Sequence, residues 1–299
     1  MATTTKSKST RTTTKKPAKA TKKTNVNNTK IITKTTVTSK SKTRDPLTPL
    51  DRIRSLHVSS AFANFVFAGL IIGFASTAAV AVTLGLQARD QFASNNNVVL
   101  GPASEVLYNI KPEYVLAAAL ILSGLFSLLL ASKLRARYES TLVNRTSGMR
   151  WVALGITAGL LITFANLLAG VTDATTLKLS GFLIFMTTML SFMAERENVS
   201  LARPKWLAYS LSLLTGVLAW LPLFGSLIGT SVYGMERFGW HVYAVVAVLL
   251  LGFTGFALNQ YAHLKSGTRK DYLSVEEKYL RIDMFTKFAV VVIVLLALK

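Results

Sequence analysis

Along most of its length the chain alternates between long apolar runs and short polar breaks. The runs are Ala61 to Ala88, Tyr114 to Ser132, Trp151 to Thr172, Leu179 to Ala194, Trp206 to Met235, Phe238 to His263 and Tyr279 to Leu298. A helix needs about 20 predominantly apolar residues to cross the ~30 Å hydrocarbon core. Most of the runs meet that length, and the fourth reaches it by taking in Thr175 to Lys178 or Glu195. The pattern predicts an all-α membrane protein, a bundle of seven transmembrane helices. Gln87 to Glu113 is the longest break; Val98-Val99-Leu100 and Val106-Leu107-Tyr108 around Gly101-Pro102 suggest a short hairpin there. Leu264 to Lys278 reads as a polar connection to the last span.

Composition adds a second region. The 299-residue chain is 51% hydrophobic yet carries a net charge of +20, which requires the charge to be segregated. Met1 to Arg44 holds eleven Lys and two Arg with no acid, among Thr, Ser, Ala and Asn. Such a segment cannot bury enough apolar area to offset chain entropy, so residues 1–50 read as a disordered basic tail and 51–299 as the membrane domain. The tail fits a solvated, orientation-setting extension, a segment adhering to anionic lipid headgroups, or one contacting nucleic-acid phosphates through KKPAKATKK at Lys15 to Lys23. No apolar segment follows within the first 30 residues to make a signal peptide. Cysteine is absent, which excludes disulfides, thiol nucleophiles and iron–sulfur ligation.

Charge placement also sets orientation. With the N-terminus cytoplasmic, twenty-eight Lys and Arg fall inside and five outside, namely Arg89, Lys111, Lys178, Arg237 and Lys299. The positive-inside rule therefore predicts a multi-pass protein of the cell membrane, N-terminus in and C-terminus out.

Candidate chemistry is sparse. His57 reads as lying at the start of the first span, and His241 and His263 stand at opposite ends of the sixth, so the three read as interface histidines that share no metal. No HExxH, Walker or GxSxG pattern occurs, and Asp283 is the single carboxylate deep in an apolar run; the expectation is a protein without enzymatic chemistry or a metal site. Lys287 is the exception. Phe288 to Leu298 rise only roughly 16 Å, so the last span must begin before Lys287 and places its amine near mid-membrane. Asp283, one turn earlier, shares its face. The pair either neutralises itself or keeps a desolvated amine whose neutral form is a nucleophile toward a carbonyl, and retinal is a membrane-soluble carbonyl suited to such a pocket.

Three stretches resemble one family. RYESTLVNRTSGMRWV at Arg137 to Val152, FTGFALNQYAHLKSG at Phe253 to Gly267 and EEKYLRIDMFTK at Glu276 to Lys287, with VLAWLPL around Trp220, are similar to the heliorhodopsins, microbial seven-helix retinal proteins of inverted orientation. The resemblance covers Ser55 to Leu298 and implies a rhodopsin-like bundle with all-trans-retinal in Schiff-base linkage to Lys287. It also implies Phe253 and Gln260 on the sixth span, Trp220 on the fifth and Met189 on the fourth as pocket residues. The family's usual glutamate counterion falls on Ala153 here, and Asp283 stands where the family has a small hydroxyl residue, so the counterion is expected to have moved to Asp283. The family's intramembrane histidines correspond to Phe67 and about Ser127.

The function so implied is a light-absorbing sensory photoreceptor and not an ion pump, working as a homodimer in the lipid bilayer with a cytoplasmic signalling partner. Two alternatives stay open: a retinal-free scaffold that tethers nucleic acid or anionic lipid through the tail, and a light-gated proton conductor.

Overall fold

The computed structural model describes residues 48–89, 100–201, 203–234, 237–266 and 272–297. Over these residues the chain forms seven long helices, one short helix and one hairpin: α1 (Pro49–Phe74), β1 (Val80–Arg89), β2 (Leu100–Ile110), α2 (Pro112–Ala131), α3 (Arg135–Val143), α4 (Gly148–Leu168), α5 (Ala174–Asn198), α6 (Leu207–Tyr233), α7 (Trp240–Ser266) and α8 (Tyr272–Ala297). Six of them, α1, α2, α4, α5, α6 and α7, are long and apolar enough to cross a membrane. α8 matches them in length but carries Arg281, Asp283 and Lys287 among its apolar residues. The proposed tail, apart from Thr48 to Leu50, lies outside the described residues.

Local sequence sets the helix starts. At α1 the Thr48 hydroxyl accepts from the Asp51 amide at 3.2 Å, and Pro49 fills the first turn where its missing N–H costs nothing. The Asp173 carboxylate caps α5 by accepting from the Thr176 amide at 2.6 Å and the Thr176 hydroxyl at 2.7 Å. α6 runs unbroken through Pro222.

Three boundaries differ from the sequence reading. The first span ends at Phe74, and the apolar residues from Val80 onward belong to β1, because VAVTL has the β-branched composition of a strand. The hairpin does not turn at Gly101-Pro102; Ala88 pairs with Gly101 and Gln87 with Pro102, inside the ladder, and a two-stranded sheet offers edge positions that tolerate Pro. The last helix starts at Tyr272, so most of the supposed polar connection is helical. The sequence reading also passed over α3, whose Tyr138 and Leu142 are buried one turn apart beneath an Arg135–Glu139 pair at 2.5 Å.

The helices pack in a ring of neighbours, α1 on α2 and α8, α2 on α4, α4 on α5, α5 on α6, and α7 on α8. In a bilayer such contacts rest on close packing and not on water exclusion, which favours small residues where backbones meet. A Cβ on Gly159 of α4 would lie 3.0 Å from the Gly181 carbonyl of α5, and one on Gly252 of α7 would collide with the Thr286 side chain of α8. Large apolar side chains such as Phe62, Leu207, Leu251 and Phe285 point outward and are exposed on the surface of the bundle. Among the described residues, a hydrogen bond from Thr83 N to Thr172 O at 2.9 Å ties the hairpin to the α4–α5 turn.

Candidate functional site

Lys287 is 2% exposed, and its amine donates to Asp283 Oδ2 at 2.6 Å and to Ser123 Oγ of α2 at 2.6 Å. The α8 residues Glu276, Asp283 and Lys287 are seven and then four positions apart, which stacks them on one helical face. Phe285, on the opposite face, is 64% exposed.

Two cavities meet at this face. The larger, about 820 Å³ with its mouth, is walled by α4 to α8, with Trp151, Leu161, Ile184, Trp220, Phe253 and Gln260 among its lining. The smaller, about 440 Å³, is lined by His57 of α1, Ser123 and Ser127 of α2, Arg150, Ala153 and Thr157 of α4, and Lys287. Asp283, Leu154 and Phe256 border both. The amine therefore opens on the smaller cavity, and the carboxylate beside it reaches the larger one.

The larger cavity brings together four of the expected residues, Asp283, Trp220, Phe253 and Gln260. Trp220 and Phe253 meet edge-on at 6.0 Å between ring centres, joining α6 to α7. Gln260 is buried and donates through Nε2 to the Ser191 carbonyl at 2.7 Å. Met189 is not brought to this wall; it packs with Trp151, Val275 and Tyr279, while Ile184, Thr187, Thr188 and Ser191 form the α5 side. Ala153 lines the same cavity as Lys287, Ser127 lies beside them, and Phe67 packs instead on Phe288 at 5.7 Å.

Toward the end of the bundle formed by α3 and the start of α4 lies a buried polar cluster that the sequence reading missed. Arg150, 6% exposed, bonds both Glu195 oxygens at 3.1 Å and forms an ion pair with Glu276. Its guanidinium also lies over the rings of Trp151 at 4.7 Å and Tyr279 at 4.4 Å. Trp151 Nε1 donates to Glu195 at 2.5 Å, and the Tyr138 hydroxyl donates to Glu276. His57 Nε2 stands 3.0 Å from that hydroxyl. His57 is thus 2% exposed and part of the interior, not an interface histidine, and Glu195 and Glu276 are buried carboxylates beside the half-buried Asp283. The signals were present. His57, Ser60 and Asn64 form a polar stripe at helical spacing, and Glu276 precedes Asp283 by two turns.

Helices long and apolar enough to cross a membrane, packed around a buried amine and an adjoining apolar cavity, define a multi-pass membrane protein with an internal cavity. The family model described as Heliorhodopsin matches residues 53–297, and the chain belongs to that family. It is accordingly a retinal-binding, light-sensing membrane protein. Comparison with curated proteins returns no match.

Proposed function

We propose that the chain is a sensory photoreceptor that carries all-trans-retinal on Lys287, with Asp283 as counterion in place of the family's glutamate. The reading rests on one observation: an amine 2% exposed, held 2.6 Å from a carboxylate that borders an apolar cavity of about 820 Å³. The retinal supplies visible absorption and isomerisation. The remaining chemistry belongs to side chains of this chain.

Lys287 would hold the ligand; its amine opens on the smaller cavity, and Asp283 beside it borders the larger one as well. The Asp283 carboxylate holds positive charge on that nitrogen, a task that low dielectric makes necessary and that Ala153 cannot perform. Trp220 and Phe253 confine the ligand and exclude water, and the Gln260 to Ser191 bond fixes one end of the wall. Glu195 and Glu276, the further buried carboxylates near α4, are paired with Arg150.

The same reading makes α8 the seventh span, with the N-terminus cytoplasmic and the C-terminus outside, in keeping with the Lys and Arg distribution. A second copy of the chain in the bilayer and a cytoplasmic partner complete it.

Reconstitution with all-trans-retinal tests the proposal by visible spectroscopy. A pigment that hydroxylamine bleaches and that Lys287→Ala abolishes is expected. Asp283→Asn should move the absorption maximum and lower the proton affinity of the linkage nitrogen by about tenfold or more. An unchanged maximum and titration in that variant would remove Asp283 as counterion, and absence of any pigment would return the bundle to a scaffold.

A further inference from the structure

Two carboxylates share one guanidinium in the Arg150 cluster, and all three groups are buried: Arg150 is 6% exposed, Glu195 3% and Glu276 0%. With both acids ionised, the cluster carries one uncompensated negative charge in a medium where an isolated ion is costly. A single proton would neutralise it. The hydrogen bonds define where that proton arrives, since the Tyr138 hydroxyl donates to Glu276 and His57 Nε2 stands 3.0 Å from the same hydroxyl oxygen. With Tyr138 donating onward, His57 must present Nε2–H to it, which leaves Nδ1 as a bare acceptor. Nδ1 is buried and has no hydrogen-bond partner among the described residues. His57 also lines the cavity into which the Lys287 amine opens.

From this arrangement we infer that His57, Tyr138 and Glu276 form a proton relay that drains the Lys287 site, with Glu276 as the terminal acceptor. This rests on the retinal reading of Lys287. A proton leaving the Lys287 nitrogen crosses the shared cavity to His57 Nδ1, the Nε2 proton passes to the Tyr138 oxygen, and the Tyr138 hydroxyl proton passes to Glu276 Oε1. The Lys287 nitrogen ends one proton poorer and neutral, the imidazole and phenol end neutral, and Glu276 becomes a carboxylic acid that leaves the cluster uncharged. The other ionisable groups around His57 are Asp283 and Tyr279 of α8 and Arg150 of α4 in this cavity. In a second cavity that His57 also lines they are Arg54 of its own helix and Arg135 and Glu139 of α3. Asp283 is already bonded to the donor amine, and Arg150 to the acceptor side.

The test has one arm without retinal. The full chain in lipid nanodiscs, ¹⁵N-labelled at its three histidines, is titrated by NMR, with His57→Gln assigning the His57 signals. The expected resting form is neutral with Nε2 protonated. Glu276→Gln should lower the proton affinity of His57 by about tenfold or more, and Tyr138→Phe should remove most of that coupling. A resting imidazole protonated at Nδ1, or a His57 titration indifferent to Glu276→Gln, overturns the relay. In the second arm the retinal-loaded protein is flashed and followed by infrared and visible absorption. A protonated-carboxyl band is expected that Glu276→Gln removes and that His57→Gln delays about 100-fold, the absorption maximum being kept. A band that survives Glu276→Gln, or arrives undelayed in His57→Gln, overturns it as well. Failure to form a pigment strikes the retinal reading alone and leaves the relay to the first arm.

Discussion

At the scale of single residues, the interior is organised by two ion clusters that differ in what their removal leaves behind. Lys287 and Asp283 balance one another, whereas Arg150 serves two acids, so loss of Arg150 strands both Glu195 and Glu276 in the interior. Breaking a buried pair by deleting one partner costs about 3–5 kcal/mol, while removing the charges together is far milder. Arg150→Gln is therefore expected to destabilise the protein by about that amount, read as the midpoint of thermal unfolding in detergent against a denaturant-calibrated scale. Adding Glu195→Gln and Glu276→Gln should restore most of the loss. A penalty under ~1 kcal/mol for Arg150→Gln would mean that the cluster is hydrated like a surface pair. The Lys287 to Asp283 pair was legible from spacing alone, because four residues is one helical turn. The Arg150 cluster left only partial signals, because its members come from α4, α5 and α8 and sit near run ends, where charges are ordinarily counted as loop charges.

At the scale of elements, the period of 3.6 was readable wherever a run stayed apolar, and boundaries failed where another rule took over. Ala75 to Ala79 are small and uncharged, so nothing in hydropathy separates the end of α1 from the start of β1; the strand is distinguished by its β-branched residues and its ladder to β2. The start of α5 is the reverse case, since a single side chain sets it. Hydrogen bonds from the Thr176 hydroxyl and amide hold the Asp173 carboxyl below the usual carboxylate range. The folded-state pKa is thus depressed, so the contribution of the cap is complete above the unfolded value and is lost as pH falls through the folded one. Asp173→Ala should cost about 1 kcal/mol at neutral pH. The difference from wild type should shrink once pH drops below ~4, the ordinary carboxylate value. Thermal unfolding of both proteins at neutral and acid pH measures it. A difference that stays constant across that range would show that the carboxylate is not the capping group. Because the α4–α5 turn also anchors the hairpin through Thr83 N to Thr172 O, weakening of the cap should show as faster amide exchange in β1.

At the scale of the whole molecule, Lys and Arg fall unevenly between the connections of the helices. Lys133, Arg135 and Arg137 follow α2, and Arg196, Arg203 and Lys205 follow α5, while the hairpin between α1 and α2 carries Arg89 and little else of that sign. Helix parity places the α2–α4 and α5–α6 connections on one side and the hairpin on the other, so the charge distribution and the helix order test each other. The absence of cysteine makes the experiment clean. Single cysteines at Glu105 in β2, at Arg137 in α3 and at Lys205 before α6 can be probed in intact cells with a membrane-impermeant maleimide. Glu105→Cys should label from outside, and Arg137→Cys and Lys205→Cys only after permeabilisation, since an extracellular arrangement of the basic connections would oppose the orientation that Lys and Arg impose during insertion. Labelling of Arg137→Cys or Lys205→Cys in intact cells would reverse the bundle. It would put the His57, Tyr138 and Glu276 end of the interior on the outer face, and any output from that end would then have to act outside the cell.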